Sequence, residues 1–201
     1  CLVIRRPARS GESSSSAASD VYKRQVEEGA DIIGIGGESS RPGASPVTAR
    51  QEMARVVPVV ESLSEKLKIP ISVDTNKSQV AQKALEAGAE IINDISALTG
   101  DRKMAAVVRK ASAALVLMHM RGKPENMQTG DLAYDNLMED ITGYLKSRCE
   151  KALAAGIERE RIVIDPGIGF GKTYEDNCKI INRLEELKIL GLPVMIGTSR
   201  K

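Results

Sequence analysis

Polar side chains stand at the ends of several short apolar runs in this sequence. Asp74, Asn93 and Asp165 each end or directly follow such a run. A carboxylate can accept two N–H hydrogen bonds side by side, and an amide offers both donors and an acceptor. If the fold brought the three together, they could bind the donor-rich edge of a flat heterocycle. Taken singly, each could instead cap the following helix, which is the commoner role. Other apolar runs end at Glu38, Asp94, His119 and Ser199.

Two glycine-rich segments also follow apolar runs. Residues 36–44 contain Ser40, Arg41 and Pro42, and an Arg beside hydroxyls suits an anionic ligand. An ordinary strand-to-helix turn explains the same composition equally well. Residues 167–173 end in Gly-Lys-Thr but lack the glycine spacing of a phosphate-binding P-loop. We interpret them as a flexible loop over the site, in which Phe170, the only Phe, could touch a ring.

Two further candidates remain open on the sequence alone. His119 is the only histidine, and at the end of an apolar strand it could be a structural hydrogen-bonding group or a catalyst. Residues 198–201, Thr-Ser-Arg-Lys, suit a phosphate or an oxo group, or simply the basic start of a helix. No serine has an identifiable base partner, so the sequence offers no evident activated nucleophile.

Composition narrows the function class. Apolar residues make up 42% and charged residues 28% of the 201-residue chain, as in globular proteins. Aromatics are only 2%, which argues against stacking platforms for single-stranded nucleic acid, and a net charge of +2 is too small for a duplex-binding surface. Three separated cysteines argue against a zinc site and favour a reducing compartment, and no apolar run could span a membrane. We therefore expect a cytoplasmic protein.

Helical and continuous apolar patterns alternate along the chain. Predicted strands cover residues 31–37, 69–74, 90–94, 113–120, 161–165 and 193–198. Predicted helices cover residues 47–67, 78–87, 104–110, 134–155 and 176–187. Continuous apolar strands indicate a parallel sheet buried on both faces, in a doubly wound sheet or a (β/α)₈ barrel. Polar residues at nearly every strand end favour the barrel. Since a full barrel has eight strands and about 250 residues, we expect a truncated barrel with about six strands.

The first 25 residues differ from the rest of the chain. Residues 10–19 hold six serines and show neither a strand nor a helix period. A disordered leader or a non-native scar would explain this, and we favour the scar because ordered patterning begins abruptly at Val26. The expected domains are residues 1–25 as leader and residues 26–201 as a partial barrel.

Taken in order, the motifs resemble those of the dihydropteroate synthase family of pterin-binding enzymes. The resemblance covers about residues 26–201 and rests on the whole ordered set rather than on any single motif. It includes Ser-Arg-Pro-Gly at residues 40–43, Asp-Pro-Gly at residues 165–167 and Thr-Ser-Arg-Lys at residues 198–201. The other matching segments are residues 29–39, 71–75, 92–94, 118–120, 127–128 and 168–172, with Gly122 and Pro124.

The resemblance implies a barrel enzyme that joins 6-hydroxymethyl-7,8-dihydropterin diphosphate to 4-aminobenzoate in folate biosynthesis. Asp74, Asn93, Asp165 and Lys201 would bind the pterin, and Lys201 would also act in catalysis through the oxo group. Ser40, Arg41, Pro42 and Phe170 would belong to the diphosphate and aminobenzoate loops. Pro42 and Phe170 would help line the aminobenzoate slot, which is also where sulfonamides bind in this family. The resemblance also implies Mg²⁺, and a homodimer for the full-length protein.

Some family features are not recognisable in this sequence. The family's first strand carries an Asn that helps bind Mg²⁺ and diphosphate, and its last strand carries an Arg and a His for the diphosphate. We therefore expect no metal ligand in this chain and little or no turnover by it alone. Two alternatives are a methyltetrahydrofolate-binding domain of a corrinoid methyltransferase, against which residues 40–43 and 199–201 argue, and an inactive pterin-binding fragment.

Overall fold

The computed structural model describes residues 22, 24–129 and 132–198, and the backbone of residues 3–7. Six strands form one parallel sheet in sequential order within these residues. The strands are β1 (Val3–Pro7), β2 (Ile32–Gly36), β3 (Ile71–Asp74), β4 (Ile91–Asp94), β5 (Ala114–Met118) and β6 (Ile162–Asp165). A doubly wound sheet reverses its strand order at a switch point, whereas a barrel does not. The sequential order therefore confirms the predicted partial barrel.

Helices connect the strands, as parallel pairing requires. They are α1 (Ala49–Ser64), α2 (Ser78–Glu86), α3 (Met104–Ala111), α4 (Leu137–Ala154) and α5 (Tyr174–Asn182), with 3₁₀ helices at Arg159–Arg161 and Leu184–Leu190. Capping boxes start α1 at Thr48 and α5 at Thr173, because each threonine hydroxyl accepts from the backbone three residues on. All five predicted helices are present, with shifted ends. No helix in the described part of the chain is long and apolar enough to cross a membrane.

The core is aliphatic and lies on both faces of the sheet. Consecutive residues Leu115, Val116 and Leu117 of β5 are all buried, although neighbouring side chains in a strand point to opposite faces. Ile33, Ile71 and other strand residues are likewise sealed from solvent. This burial confirms the prediction of a sheet covered on both sides.

The predicted strands differ from the observed ones at both ends of the sheet. Residues 193–198 are not a strand, because only Val194 forms a bridge, to Ile164, and one bridge is not a ladder. Conversely, β1 lies within the segment expected to be a leader and pairs with β2 along its length. Its sequence, Val-Ile-Arg-Arg-Pro, has too short an apolar part to signal a strand. Whether residues 1–25 are native stays a prediction.

Candidate active site at the strand ends

The strand register brings the predicted polar residues to one edge of the sheet. Asp74 of β3 lies opposite Asn93 of β4, and Gly36 of β2 lies opposite Asp74. Asp165 of β6 lies opposite Met118 of β5. All of these are at or near the carboxyl ends of their strands, the face on which barrel enzymes build their sites.

Asp74 and Asn93 form a hydrogen-bonded pair. The Asn93 amide Nδ2 donates to Asp74 Oδ1 over 2.7 Å. The Asn93 side chain is fully buried, and its Oδ1 has no hydrogen-bond partner among the described residues. A buried acceptor left unsatisfied costs about 1–3 kcal/mol. A ligand N–H donor at this position would recover that free energy.

The alternative role of Asp74 as a helix cap is wrong. The residue before α2 is Lys77, whose side chain makes no cap hydrogen bond. The first amide of α2, that of Ser78, donates instead to Asp101 Oδ2 over 2.9 Å. Asp74 is thus not the cap residue of α2, and its Oδ1 accepts from Asn93.

Asp94, next to Asn93, is structural. Its Oδ1 accepts from the Ser96 backbone and hydroxyl over 2.9 and 2.6 Å, and its Oδ2 accepts from Leu98 N over 2.8 Å. These bonds hold a turn in which Ala97 and Leu98 have positive φ angles of 49° and 65°. Burial raises the pKa of the Asp94 carboxyl, and the hydrogen bonds oppose that change. Since adjacent side chains of a strand point to opposite faces, Asn93 is left as the site residue.

Asp165 is buried at the end of β6 and shapes the glycine loop that follows it. Its Oδ1 accepts from Gly167 N over 2.7 Å. Gly167 has a φ of +72°, and a Cβ there would lie 1.9 Å from the His119 carbonyl oxygen. The loop is thus packed tightly against the end of β5, and only glycine fits at this position.

His119 and Lys172 meet in the interior beside this loop. Lys172 Nζ lies 3.0 Å from His119 Nδ1 and also contacts main-chain carbonyl oxygens. Burial, and then the charge of Lys172, lowers the pKa of His119 from 6.5 to about 3. The imidazole is therefore neutral at neutral pH, which excludes it as a general acid there. Lys172 was not predicted as a site residue.

An apolar surface adjoins the polar edge. Phe170 packs with Met118 and Met127 in a small buried cluster, against which Ile95 and Met120 are partly buried. A mixed apolar wall with nearby polar groups is typical of small-molecule sites. The prediction that Phe170 could contact a ring stays a prediction.

The loop that contains Ser40, Arg41 and Pro42 lies at the surface. Arg41 and Pro42 are exposed and Ser40 is half-buried, and no hydrogen bond or ion pair joins the Ser40 or Arg41 side chain to another described residue. The structure therefore brings Asp74 and Asn93 together but does not hold these loop side chains. Lys201, with Ser199, lies outside the described residues.

The base of this loop is held by an ion cluster that the sequence analysis missed. Lys77 donates to Glu38 and, over 2.5 Å, to the buried Glu52 of α1. Arg55 adds a 2.8 Å hydrogen bond to the Gly37 carbonyl oxygen. Glu38, one of the polar strand ends, thus serves to anchor the loop. The described residues contain no group of three or more His, Cys, Asp or Glu that could hold a metal ion.

Comparison with known proteins identifies relatives of this architecture. The family model described as "Pterin binding enzyme" matches residues 8–201. The dihydropteroate synthases of Clostridium beijerinckii and Bacillus subtilis are 48% and 46% identical over 179 residues, which cover 89% of this chain but only 64% and 60% of those proteins. The chain thus spans somewhat more than half the length of these relatives.

Solved structures of dihydropteroate synthases also resemble this chain. The Yersinia pestis dihydropteroate synthase in complex with a sulfonamide drug superposes with a TM-score of 0.93 at 38% identity, over 99% of this chain and 74% of that one. The Xanthomonas albilineans dihydropteroate synthase with 4-aminobenzoic acid gives 0.89 at 38% identity, over 99% and 72%.

Proposed function

We propose that this chain, which belongs to the pterin binding enzyme family, supplies the pterin pocket of a dihydropteroate synthase. The observation that carries the proposal is the Asp74–Asn93 pair on the same sheet edge as Asp165. Within this pair the Asn93 amide is buried, and its oxygen has no hydrogen-bond partner among the described residues. The relatives reported above are dihydropteroate synthases, which favours this activity over a corrinoid methyltransferase.

A pterin ring has an amino group and ring N–H groups along one edge. The Asn93 Oδ1 would accept one of these donors, and the carboxylates of Asp74 and Asp165 would accept the others. Hydrogen bonds to ionised acceptors are about twice as strong as neutral ones, and a site of low exposure strengthens them further. Lys201 would donate to the oxo group of the ring and so complete the set.

The second substrate, 4-aminobenzoate, would bind beside the pterin. Phe170 and its methionine neighbours would form one wall of the slot, and Pro42 another. Ser40 and Arg41 would reach the diphosphate or the aminobenzoate carboxylate once their loop closes over the ligands, because guanidinium groups bind both anions well. This role fits a loop anchored at Gly37 and Glu38 in which the Ser40 and Arg41 side chains form no hydrogen bond or ion pair with other described residues.

The reaction breaks the bond between the pterin methylene and the diphosphate oxygen and forms a bond from that methylene to the arylamine nitrogen. The arylamine proton passes to solvent, and diphosphate leaves. Departure of diphosphate runs ahead of attack, so stabilising charge matters more than a strong base. His119 is neutral and buried, and its Nδ1 faces Lys172, consistent with a reaction that needs no strong base.

The family resemblance also suggests Mg²⁺ for the full protein. Because the part of the chain that the structure describes has no three-ligand acidic or histidine cluster, we assign no step to the metal. We further propose a cytoplasmic homodimer for the full-length enzyme, one that binds small-molecule substrates and neither nucleic acid nor membranes.

Binding of pteroic acid to the chain tests this proposal without requiring turnover. Asn93→Ala removes the buried amide oxygen proposed to accept from the ring, and we expect it to weaken binding by about tenfold, the equivalent of one hydrogen bond of about 1.4 kcal/mol. Asn182→Ala, at an exposed position on α5, is the matched control and should bind like the parent. Equal affinities for parent and Asn93→Ala would contradict the assignment of the pocket.

A further inference from the structure

Lys172 is a buried lysine to which the proposed reaction gives no role. Lys172 is only 2% exposed to solvent. Lysines are almost never fully buried unless their ammonium group is paired. Its Nζ lies 3.0 Å from the carbonyl oxygens of Gly167 and Phe170, 3.0 Å from His119 Nδ1 and 3.4 Å from the His119 carbonyl oxygen. These partners come from two segments, the loop after β6 and the end of β5.

We propose that Lys172 is a positioning residue, whose ammonium clamps the loop of residues 167–171 to the end of β5 and fixes His119 as the tautomer protonated at Nε2. An ammonium group has three N–H donors and no acceptor. Three acceptors at 3.0 Å match those three donors, one each from Gly167, Phe170 and His119. The ring nitrogen that faces Lys172 must then be the unprotonated one.

A neutral amine at Lys172 would permit the other tautomer of His119, in which Nδ1 carries the proton. With two donors and one lone pair, the amine could satisfy the Gly167 and Phe170 carbonyls and accept a hydrogen bond from a protonated Nδ1. Three carbonyl oxygens around one nitrogen favour the ammonium form, since their dipoles stabilise positive charge and hydrogen bonds from charged donors are the stronger ones. The tautomer of His119 therefore reports the charge of Lys172.

The clamp holds two parts of the candidate site at once. Gly167, which accepts from Lys172 through its carbonyl, donates its N–H to the Asp165 carboxylate over 2.7 Å. Phe170, which accepts through its carbonyl, packs its ring on Met118 at the end of β5. Lys172 thus connects the proposed pterin carboxylate and the proposed aminobenzoate wall through main-chain atoms alone.

Close packing makes this geometry sensitive to the clamp. Cβ atoms at Gly167 and Gly171 would lie 1.9 Å from the His119 carbonyl oxygen and 2.5 Å from the Arg121 carbonyl oxygen. The loop therefore sits directly against the chain segment that follows β5, and an outward shift would move Asp165 and Phe170 together. The consequence for ligand binding rests on the proposed function, whereas the clamp itself does not.

The tautomer can be read directly because His119 is the only histidine in the chain. Long-range ¹H–¹⁵N NMR correlation of the unmodified chain at neutral pH should show a proton on Nε2 and an unprotonated Nδ1. A protonated Nδ1 would overturn the proposal, since Lys172 would then be a neutral acceptor. This measurement needs no variant and no ligand.

Replacing the lysine tests the positioning role. Lys172→Met keeps an unbranched side chain, one atom shorter, but removes the donors and the charge, and Lys146→Met at an exposed position is the control. We expect a mixture of His119 tautomers in Lys172→Met and pteroic acid binding at least about tenfold weaker than in the control. An unchanged tautomer, or unchanged affinity, would contradict the clamp.

The outcomes separate the two proposals. If the unmodified chain does not bind pteroic acid, the proposed function fails, while the tautomer still decides the role of Lys172. If Lys172→Met does not fold, Lys172→Gln retains an uncharged amide with two N–H donors and is expected to show the same changes to a smaller extent. Failure of both variants to fold leaves the tautomer of the unmodified chain as the deciding result.

Discussion

Replacing His119 with Asn should remove much of the protein's sensitivity to mild acid. His119 is 5% exposed, and burial together with the nearby charge of Lys172 lowers its pKa from 6.5 to about 3. In the unfolded chain the imidazole is protonated below about pH 6.5, whereas in the native protein it stays neutral until the pH is close to 3. Stability from this residue is therefore fully present above pH 6.5 and is lost as the pH falls.

The size of the effect follows from proton linkage. Each pH unit between the two pKa values lowers the free energy of unfolding by about 1.4 kcal/mol. At about pH 4.5 the unfolded histidine is almost fully charged and the native one is neutral, so the loss is about 3 kcal/mol. This is a large fraction of the 5–15 kcal/mol typical of folded domains.

The loss of stability can be measured by urea unfolding of the parent and of His119→Asn. Each protein is unfolded at about pH 7 and at about pH 4.5. Asn cannot be protonated in this range, and its amide oxygen can still accept from Lys172. Carboxylates titrate in both proteins, so the difference between the two pH-dependent losses isolates the histidine. We expect the parent to lose about 3 kcal/mol more than the variant. Equal losses would refute the account of His119 as a buried neutral base.

Two further substitutions test the packing around the site. Gly167→Ala places a Cβ against the His119 carbonyl, whereas Gly29 has a φ of +96° and open space where a Cβ would lie. Both Gly167→Ala and Gly29→Ala carry the cost of a positive φ, so only Gly167→Ala should abolish pteroic acid binding and destabilise the chain beyond that cost. Equal losses of stability in urea unfolding would contradict this. Lys77→Met leaves the buried Glu52 without its cation, so we expect a loss of about 3 kcal/mol in urea unfolding, and a loss below about 1 kcal/mol would mean that the cluster behaves as an exposed ion pair.

The polar strand ends could be predicted because parallel strands share one carboxyl edge. Asp74, Asn93 and Asp165 needed only the strand positions and a common direction, and the register confirms their placement on that edge. The sequence left the role of Asp94 open beside Asn93. The structure decides it, because the Asp94 carboxylate is used by the backbone of the following turn.

Other features depend on contacts that no local pattern encodes. The partners of Lys172 include the His119 ring and main-chain carbonyls from two segments about 50 residues apart, so its role can be seen only once these segments are folded together. Glu52 lies in the first turn of α1, where a sequence pattern predicts a solvated charged residue. Its burial is matched by Lys77, which reaches it from the segment between β3 and α2. Strand β1 was missed because it lacks a long apolar run. Its position is set by pairing with β2, a contact between segments that are distant in the sequence.

Discrimination between two pteridines tests the central claim most directly. A pterin has an amino group at the edge that Asp74, Asn93 and Asp165 are proposed to bind, whereas a lumazine with the same 6-substituent has an oxo group there. A site built to accept hydrogen bonds rejects a ligand that lacks the donor, because its buried acceptors stay unpaired. Equilibrium titration of the chain should give at least about 100-fold tighter binding of the pterin. Equal affinity for the two ligands would contradict the account.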